Sequence, residues 1–235
     1  MATAMMPSPW MRPSGPSVIP GRFYIDAEEW THIITSIIVI CVSLTFYNVG
    51  MDVQPGPFLF MMAVFAITVG SGFLMHELAH KYVAVRFGSQ ARFTAWTWGL
   101  LLMLALAIVP QVLWNMRLGL FLAPGAVMIF ARGPIDNRQN GLISVAGPLM
   151  NIALAAVFFV AAMLLLGGSE LGTTKVIDPT LSLVLVMGIK VNLSLAVFNL
   201  LPIFPLDGLK VLMWNWKIWL IMFTIALFGS GIWGF

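Results

Sequence analysis

Long runs of apolar residues, each about as long as a bilayer crossing, constrain this chain more than any other feature. Of its 235 residues, 60% are hydrophobic and only 9% are charged, whereas soluble domains carry roughly a quarter charged residues. The runs predict an all-α polytopic membrane protein with about five transmembrane helices plus a short re-entrant or hairpin segment. Little polar sequence remains between them, so we expect the protein to act in or beside the lipid bilayer.

The predicted spans can be placed from the apolar runs and the breaks between them. They cover residues 33–49, 58–75 (continuing as a helix to Gly88), 142–166, 180–201 and 209–235. The apolar halves of residues 96–130 are each short for a crossing, which predicts a tight helical hairpin or a re-entrant pair. Residues 1–30 are rich in Pro, Ser and Gly and lack a signal-peptide core, which predicts a flexible tail before a membrane-embedded domain at 31–235.

The distribution of basic residues predicts the orientation. Lys81, Arg86 and Arg92 follow the second span, and cytoplasmic loops collect Lys and Arg. This assignment places the amino terminus in the cytoplasm, and the compact chain favours a prokaryotic plasma membrane. The net charge of +3 comes from scattered residues, so nucleic acid is not a predicted partner. The single cysteine, Cys41, excludes an intrachain disulfide.

The segment HELAH, residues 76–80, places two histidines four positions apart near the end of the second span. On a helix this spacing puts His76 and His80 on one face, where both imidazoles can bind one ion, with Glu77 beside them. A catalytic zinc site uses three protein ligands and keeps a fourth position for water. A third ligand must therefore come from elsewhere in the chain.

Asp207 is the strongest candidate for that ligand. Pro202 and Pro205 predict unwound backbone over residues 199–207, and unwound backbone at membrane depth is tolerated only where it is buried in protein or lines a watery cavity. Capping of a following helix that begins at Gly208 is an alternative role for Asp207. The remaining acidic residues are expected to be solvated or to lie on the opposite side of the membrane: Asp26, Glu28, Glu29, Asp136, Asp52, Glu170 and Asp178.

One further histidine and one group of small or polar residues are expected to have structural and not catalytic roles. His32 is expected to be an ordinary histidine at the membrane boundary. Gly147, Pro148 and Asn151 are expected to allow close helix approach and hydrogen bonding within the bundle.

Three separated motifs together resemble the site-2 proteases, zinc metalloproteases that cut within or next to transmembrane helices. They are HELAHKYVAVRFG, VAGPLMN at 145–151 and FNLLPIFPLDG at 198–208. The resemblance implies that His76, His80 and Asp207 bind one Zn²⁺, and that Glu77 is the general base for a zinc-activated water. It also implies that Asn199 holds the substrate backbone or the developing oxyanion, and that the substrate is a single-pass transmembrane protein.

The sequence departs from this family in three respects. Residues 96–130 are longer and more apolar than the short strand-like segment that many members have between these motifs. Leu209 stands where members often have a second glycine, and no further helix that would gate access is recognisable. We therefore expect access to be controlled by a partner chain or by residues 96–130.

Two other functions fit parts of the sequence. A non-catalytic membrane scaffold or complex subunit could retain the fold, although a structural zinc has no use for a general base such as Glu77. A prenyl-protein peptidase would also carry the HExxH pattern, but the LDG motif at 206–208 argues against it.

Overall fold

The computed structural model describes residues 22–51, 53–117, 125–130, 134–166 and 178–231. In chain order its elements are α1 (Ala27–Val49), α2 (Pro55–Phe65), a π-helical turn (Ala66–Gly70), α3 (Ser71–Arg86), β1 (Gln90–Ala95), α4 (Thr97–Trp114), β2 (Gly125–Phe130), α5 (Asn137–Leu166), α6 (Pro179–Asn199), α7 (Asp207–Trp214) and α8 (Trp216–Gly229). Five helical segments in these ranges are long and apolar enough to cross a membrane: α1, the continuous segment Pro55–Arg86, α4, α5 and α6. The predicted polytopic helical fold is confirmed.

Two of the predicted membrane segments, the hairpin and the last span, differ from the structure. The described part of residues 96–130 is not the predicted helical hairpin, because it contains one helix of spanning length, α4, and the strand β2. The last predicted span is divided into α7 and α8, and α8 has only 14 residues. Asn215 causes this break: its backbone is extended, and its side chain accepts a hydrogen bond from the Lys217 N–H at 3.1 Å, so the amide caps a new helix.

The helix α1 begins earlier than the apolar run at Ile33 suggested. Asp26 caps it by accepting a hydrogen bond from the Glu29 N–H at 2.7 Å, which satisfies one of the free donors of the first turn. The proposed tail falls largely on residues 1–21, outside the described residues. The division into a tail and a membrane domain therefore stays a prediction.

Strands β1 and β2 form an antiparallel pair whose register runs from Gln90 opposite Phe130 to Ala95 opposite Gly125. The buried Phe93 of β1 packs edge to face against Phe73 of α3, with ring centroids 5.5 Å apart. This contact fixes the small sheet against the helix that carries HELAH.

A buried ion pair links α1 to α3, and it corrects the expectation that Glu29 is solvated. Glu29 is only 2% exposed, its Oε2 pairs with Lys81 Nζ, and its Oε1 accepts a hydrogen bond from the Phe93 N–H at 2.9 Å. Lys81 is buried as well. Because α1 starts at Ala27, Glu29 lies within the helix and faces α3 and β1, so one carboxylate joins three elements.

Replacing Glu29 with Gln should destabilise the folded protein substantially. The amide retains an acceptor for Phe93 but leaves Lys81 as a buried, uncompensated charge, a change that typically costs about 3–5 kcal/mol. Unfolding in detergent, followed by circular dichroism, would measure the loss. The matched control is Glu28→Gln, since Glu28 is 64% exposed and paired with Arg92, and solvent-screened pairs contribute about 1 kcal/mol or less. Equal stability of the two variants would contradict the structural role of Glu29.

Candidate metal centre

Helix α3 brings the two histidines of HELAH together. His76 and His80 are both buried, and their Nε2 atoms lie 3.0 Å apart. This agrees with the arrangement expected from their spacing of four residues on a helix.

Asp207 joins the histidines from the opposite side. Helix α6 ends at Asn199 and α7 begins at Asp207, so the backbone between them is unwound, as the two prolines predicted. Asp207 Oδ2 lies 2.9 Å from His80 Nε2 and 3.6 Å from His76 Nε2. The side chain makes no capping hydrogen bond to α7, whose N-cap residue is Leu206. The structure thus places the carboxylate on the histidines.

The Asp207 carboxyl also has a cationic neighbour on its own helix. Lys210 Nζ donates a hydrogen bond to Asp207 Oδ1 at 3.4 Å, while Oδ2 faces the two histidines. The neighbouring Gly208 is required by close packing, because a Cβ there would lie 2.1 Å from the Leu200 carbonyl oxygen. The LDG sequence therefore places the carboxylate and lets the chain turn tightly beside it.

The hydrogen bonds at the far side of each imidazole define its tautomer. His80 Nδ1 lies 2.7 Å from the Ile143 carbonyl oxygen, which can only accept, so Nδ1 carries the proton. His76 Nδ1 lies 2.6 Å from Asn151 Oδ1. The Asn151 amide nitrogen donates to the Gly72 carbonyl and to Asn192, so Oδ1 is the acceptor and His76 Nδ1 is also protonated. Both Nε2 atoms therefore face the same place, where each neutral imidazole would present its lone pair.

This donor set fits a single divalent metal ion. Two imidazole lone pairs and a carboxylate oxygen converge with separations of 2.9 to 3.6 Å. Ligand atoms about 2.1 Å from a common ion at tetrahedral angles would be about 3.4 Å apart. A positive charge between the three atoms would remove the repulsion between the lone pairs. Among the described residues, these three form the metal-binding cluster of His, Cys, Asp or Glu side chains.

Gly147 of α5 lets that helix pack directly on the metal cluster. A Cβ at this position would lie 2.3 Å from His80 Nε2 and 2.5 Å from His76 Nε2. Any side chain would therefore displace the imidazoles. The close approach expected for the VAGPLMN motif is observed, and its partners are the two histidines.

A chain of buried amides extends from His76 into the bundle, and sequence reasoning did not identify its far end. Asn151 Nδ2 donates to Asn192 Oδ1 at 3.1 Å, and Asn192 Nδ2 donates to the Gly188 carbonyl at 2.9 Å. Both asparagines are fully buried. A signal was present, because Asn192 interrupts an apolar span and polar groups buried in a bundle need partners. The network fixes the orientation of His76 through Asn151.

Removing the amide of Asn151 should weaken zinc binding by about 10- to 100-fold, the usual effect of losing a hydrogen bond that orients a metal-bound histidine. Competition titration with a zinc chelator would measure the change in Asn151→Ala. The matched control is Asn48→Ala, which removes an exposed amide bonded only to its own helix at Leu44 and should bind zinc like the wild type. Unchanged affinity in Asn151→Ala would show that His76 is oriented by other contacts.

The metal cluster opens into a cavity of about 880 Å³ that is lined by Glu77, by Asn199 and by all six residues of β2. Glu77 follows His76 directly on α3 and is buried. Asn199 Nδ2 donates one hydrogen bond to the Leu195 carbonyl at 2.9 Å, which leaves its second N–H for another acceptor. The structure thus brings all five predicted site residues to one cavity.

The described helices define an integral membrane protein with a metal-binding cluster at one cavity. Residues 64–178 match the model of Peptidase family M50. The chain is 42% identical over 156 residues to "Putative zinc metalloprotease MJ0611" of Methanocaldococcus jannaschii. The aligned region covers 66% of this chain and 72% of the relative. The chain is 32% identical over 167 residues to "Putative zinc metalloprotease YwhC" of Bacillus subtilis, covering 65% and 68%. No solved structure matches. The chain belongs to peptidase family M50, the site-2 protease family that its motifs resemble.

Proposed function

We propose that the protein is an intramembrane zinc endopeptidase that hydrolyses a peptide bond in or next to a transmembrane helix of a membrane protein substrate. One observation carries the proposal: two imidazole nitrogens and a carboxylate converge on one point of a cavity that Glu77 also lines, in a bundle of spanning helices. Both relatives carry the name "Putative zinc metalloprotease", which supports zinc as the metal.

In this proposal His76, His80 and Asp207 hold the ion. Bound zinc supplies a Lewis acid that makes water a nucleophile near neutral pH and polarises the peptide carbonyl. Glu77 takes the proton of the attacking water and then delivers it to the leaving amine. Asp207 is a ligand of the ion in this proposal and is not free to act as a base, so this role falls to Glu77.

In this proposal Asn199 and β2 bind the substrate backbone. The second N–H of the Asn199 amide can donate to the oxygen on which negative charge develops, a type of contact whose loss elsewhere costs roughly 3 kcal/mol. Peptide bonds within a helix are hydrogen-bonded and shielded, so a substrate must unwind before it is cut. Strand β2 lines the cavity along its whole length, which favours an extended substrate segment.

The substrate proposed on these grounds is a single-pass transmembrane protein whose helix reaches the cavity from the bilayer. We further propose a prokaryotic plasma membrane, a cytoplasmic amino terminus and cleavage near the cytoplasmic face, with access controlled by a partner chain or by the segment around α4. The archaeal and bacterial sources of the relatives support the prokaryotic assignment.

The proposal is tested by incubating the purified, zinc-loaded protein in vesicles with a panel of single-span model proteins. Half of the panel carries a Gly-Pro pair near the cytoplasmic end of the span, because helix breakers favour unwinding. Mass spectrometry of the products should map the cut to the span or its immediate flank. Cuts confined to soluble segments would contradict intramembrane proteolysis. Zinc binding without cleavage of any substrate would favour the non-catalytic scaffold.

A further inference from the structure

A single lysine interrupts the middle of α6 on its outer surface. Lys190 is exposed, and α6 runs from Pro179 to Asn199. Its 21 residues span about 31 Å, close to the thickness of the hydrocarbon core. Lys190 therefore lies near the middle of this span, about 14 Å along the helix from the nearer end.

The other charged residues of the five spans are accounted for. Glu77 lines the cavity of the metal centre, and Lys81 is paired with Glu29. The remaining ones lie in the first or last turn of their helix: Glu28, Arg86 and Arg138. Lys190 makes no ion pair or hydrogen bond with any residue in the described ranges. Among the charged residues of the five spans in the described ranges, only Lys190 lies in the middle of a helix and has no partner.

An unpaired lysine at the centre of a spanning helix costs about 3 kcal/mol on insertion scales. Lipid phosphates do not offset this cost, because the side chain is shorter than the distance from Lys190 to either end of α6. An opposite charge at the same depth offsets the insertion cost. Intramembrane charges are usually found facing a protein interior or a polar partner, so the exposed position of Lys190 is that of a residue that meets another helix.

The surface around Lys190 has the form of a helix contact. Val186 and Ser194 are also exposed and lie four residues before and after it, so the three side chains share one face of α6. We call this surface the Lys190 face. Its serine and valine are small enough to let another backbone approach closely.

A second copy of this chain is not the occupant that the charges favour. The acidic residues of the described spans are Glu28 and Glu29 in the first turn of α1, and Glu77 in the cavity. None of them presents a carboxylate to lipid near the bilayer centre. We propose that the Lys190 face docks a transmembrane helix of another protein that carries an Asp or Glu near its middle. This inference does not depend on the proposed protease activity.

Fluorescence energy transfer in vesicles of neutral lipid would test the proposal. The protein carries a donor at its amino terminus, and the probe is an acceptor-labelled Leu-Ala helix with one central Glu. The Glu helix should associate at least tenfold more tightly than the same helix with Gln, which corresponds to about 1.4 kcal/mol. Lys190→Met should abolish the difference. The matched control, Lys217→Met, removes an exposed lysine from the start of α8 and should preserve it.

A charge exchange makes the experiment specific. A third probe is the same Leu-Ala helix with one central Lys. The Lys190→Glu variant should lose the preference for the Glu helix and should instead prefer this Lys helix. The circular dichroism and the zinc content of each variant would verify folding. Equal association of the Glu and Gln helices with wild type would overturn the proposal, and so would a Glu preference that survives in Lys190→Met. A preference that disappears equally in Lys190→Met and Lys217→Met would indicate general attraction to positive charge and would also overturn it.

Discussion

Replacing Glu77 with Gln is expected to reduce cleavage by about 10²- to 10⁴-fold, the usual contribution of a general base, while the protein keeps its zinc. The amide is nearly isosteric with the carboxylate, but it cannot accept the proton of the attacking water. Glu77 is not one of the three clustered ligand residues, so metal content should not change. The measurement is single-turnover cleavage of a single-span substrate, together with zinc analysis of the same sample.

The control for this result is Glu28→Gln. Glu28 also lines the cavity but is largely exposed and paired with Arg92, so its replacement removes a carboxylate from the cavity without touching the metal cluster. Its activity should stay within a few-fold of wild type. If Glu77→Gln cleaves as fast as Glu28→Gln, Glu77 is not the base.

Replacing Asp207 with Ala should weaken zinc binding by more than about 100-fold, which exceeds the usual effect of losing an outer hydrogen bond to a metal ligand. Two imidazoles would remain where a catalytic zinc needs three protein ligands. The thermal stabilisation that zinc gives the wild type should also be lost, because ligand binding stabilises only in proportion to its affinity. Isothermal titration and thermal unfolding with and without zinc would measure both effects.

Asp178→Ala is the matched control for Asp207. Asp178 caps the start of α6, the span that precedes the unwound segment before Asp207, by accepting a hydrogen bond from the Thr180 N–H at 2.7 Å. Its loss should lower stability by about 1 kcal/mol and leave zinc affinity unchanged. Full zinc affinity in Asp207→Ala would remove this carboxylate from the ligand set.

The metal cluster could be predicted from sequence because its signals are local. The spacing of His76 and His80 defines one helix face, and the prolines before Asp207 define an unwound segment. The element types between residues 96 and 130 could not be predicted in the same way. The apolar run of β2 has no periodicity that separates a strand from a helix, and only pairing with β1, distant in sequence, decides between them.

The role of Glu29 was missed for a related reason. A charged residue ahead of an apolar run is solvated by default, and its partner Lys81 lies 52 positions away. Nothing in the local pattern predicts that they meet. Asn192 was missed because the amide contacts Asn151 on a different helix, although its polarity within a span was visible. In both cases the missing information is tertiary.

The two histidines differ in how evolution or engineering can adjust them. His76 is oriented by the side chain of Asn151, which one substitution can shorten, lengthen or remove. His80 is oriented by the backbone carbonyl of Ile143, which every amino acid at that position provides. Metal affinity can therefore be tuned gradually through residue 151, whereas the contact at residue 143 changes only if α5 itself moves. The centre thus combines one adjustable ligand with one that point substitution leaves in place.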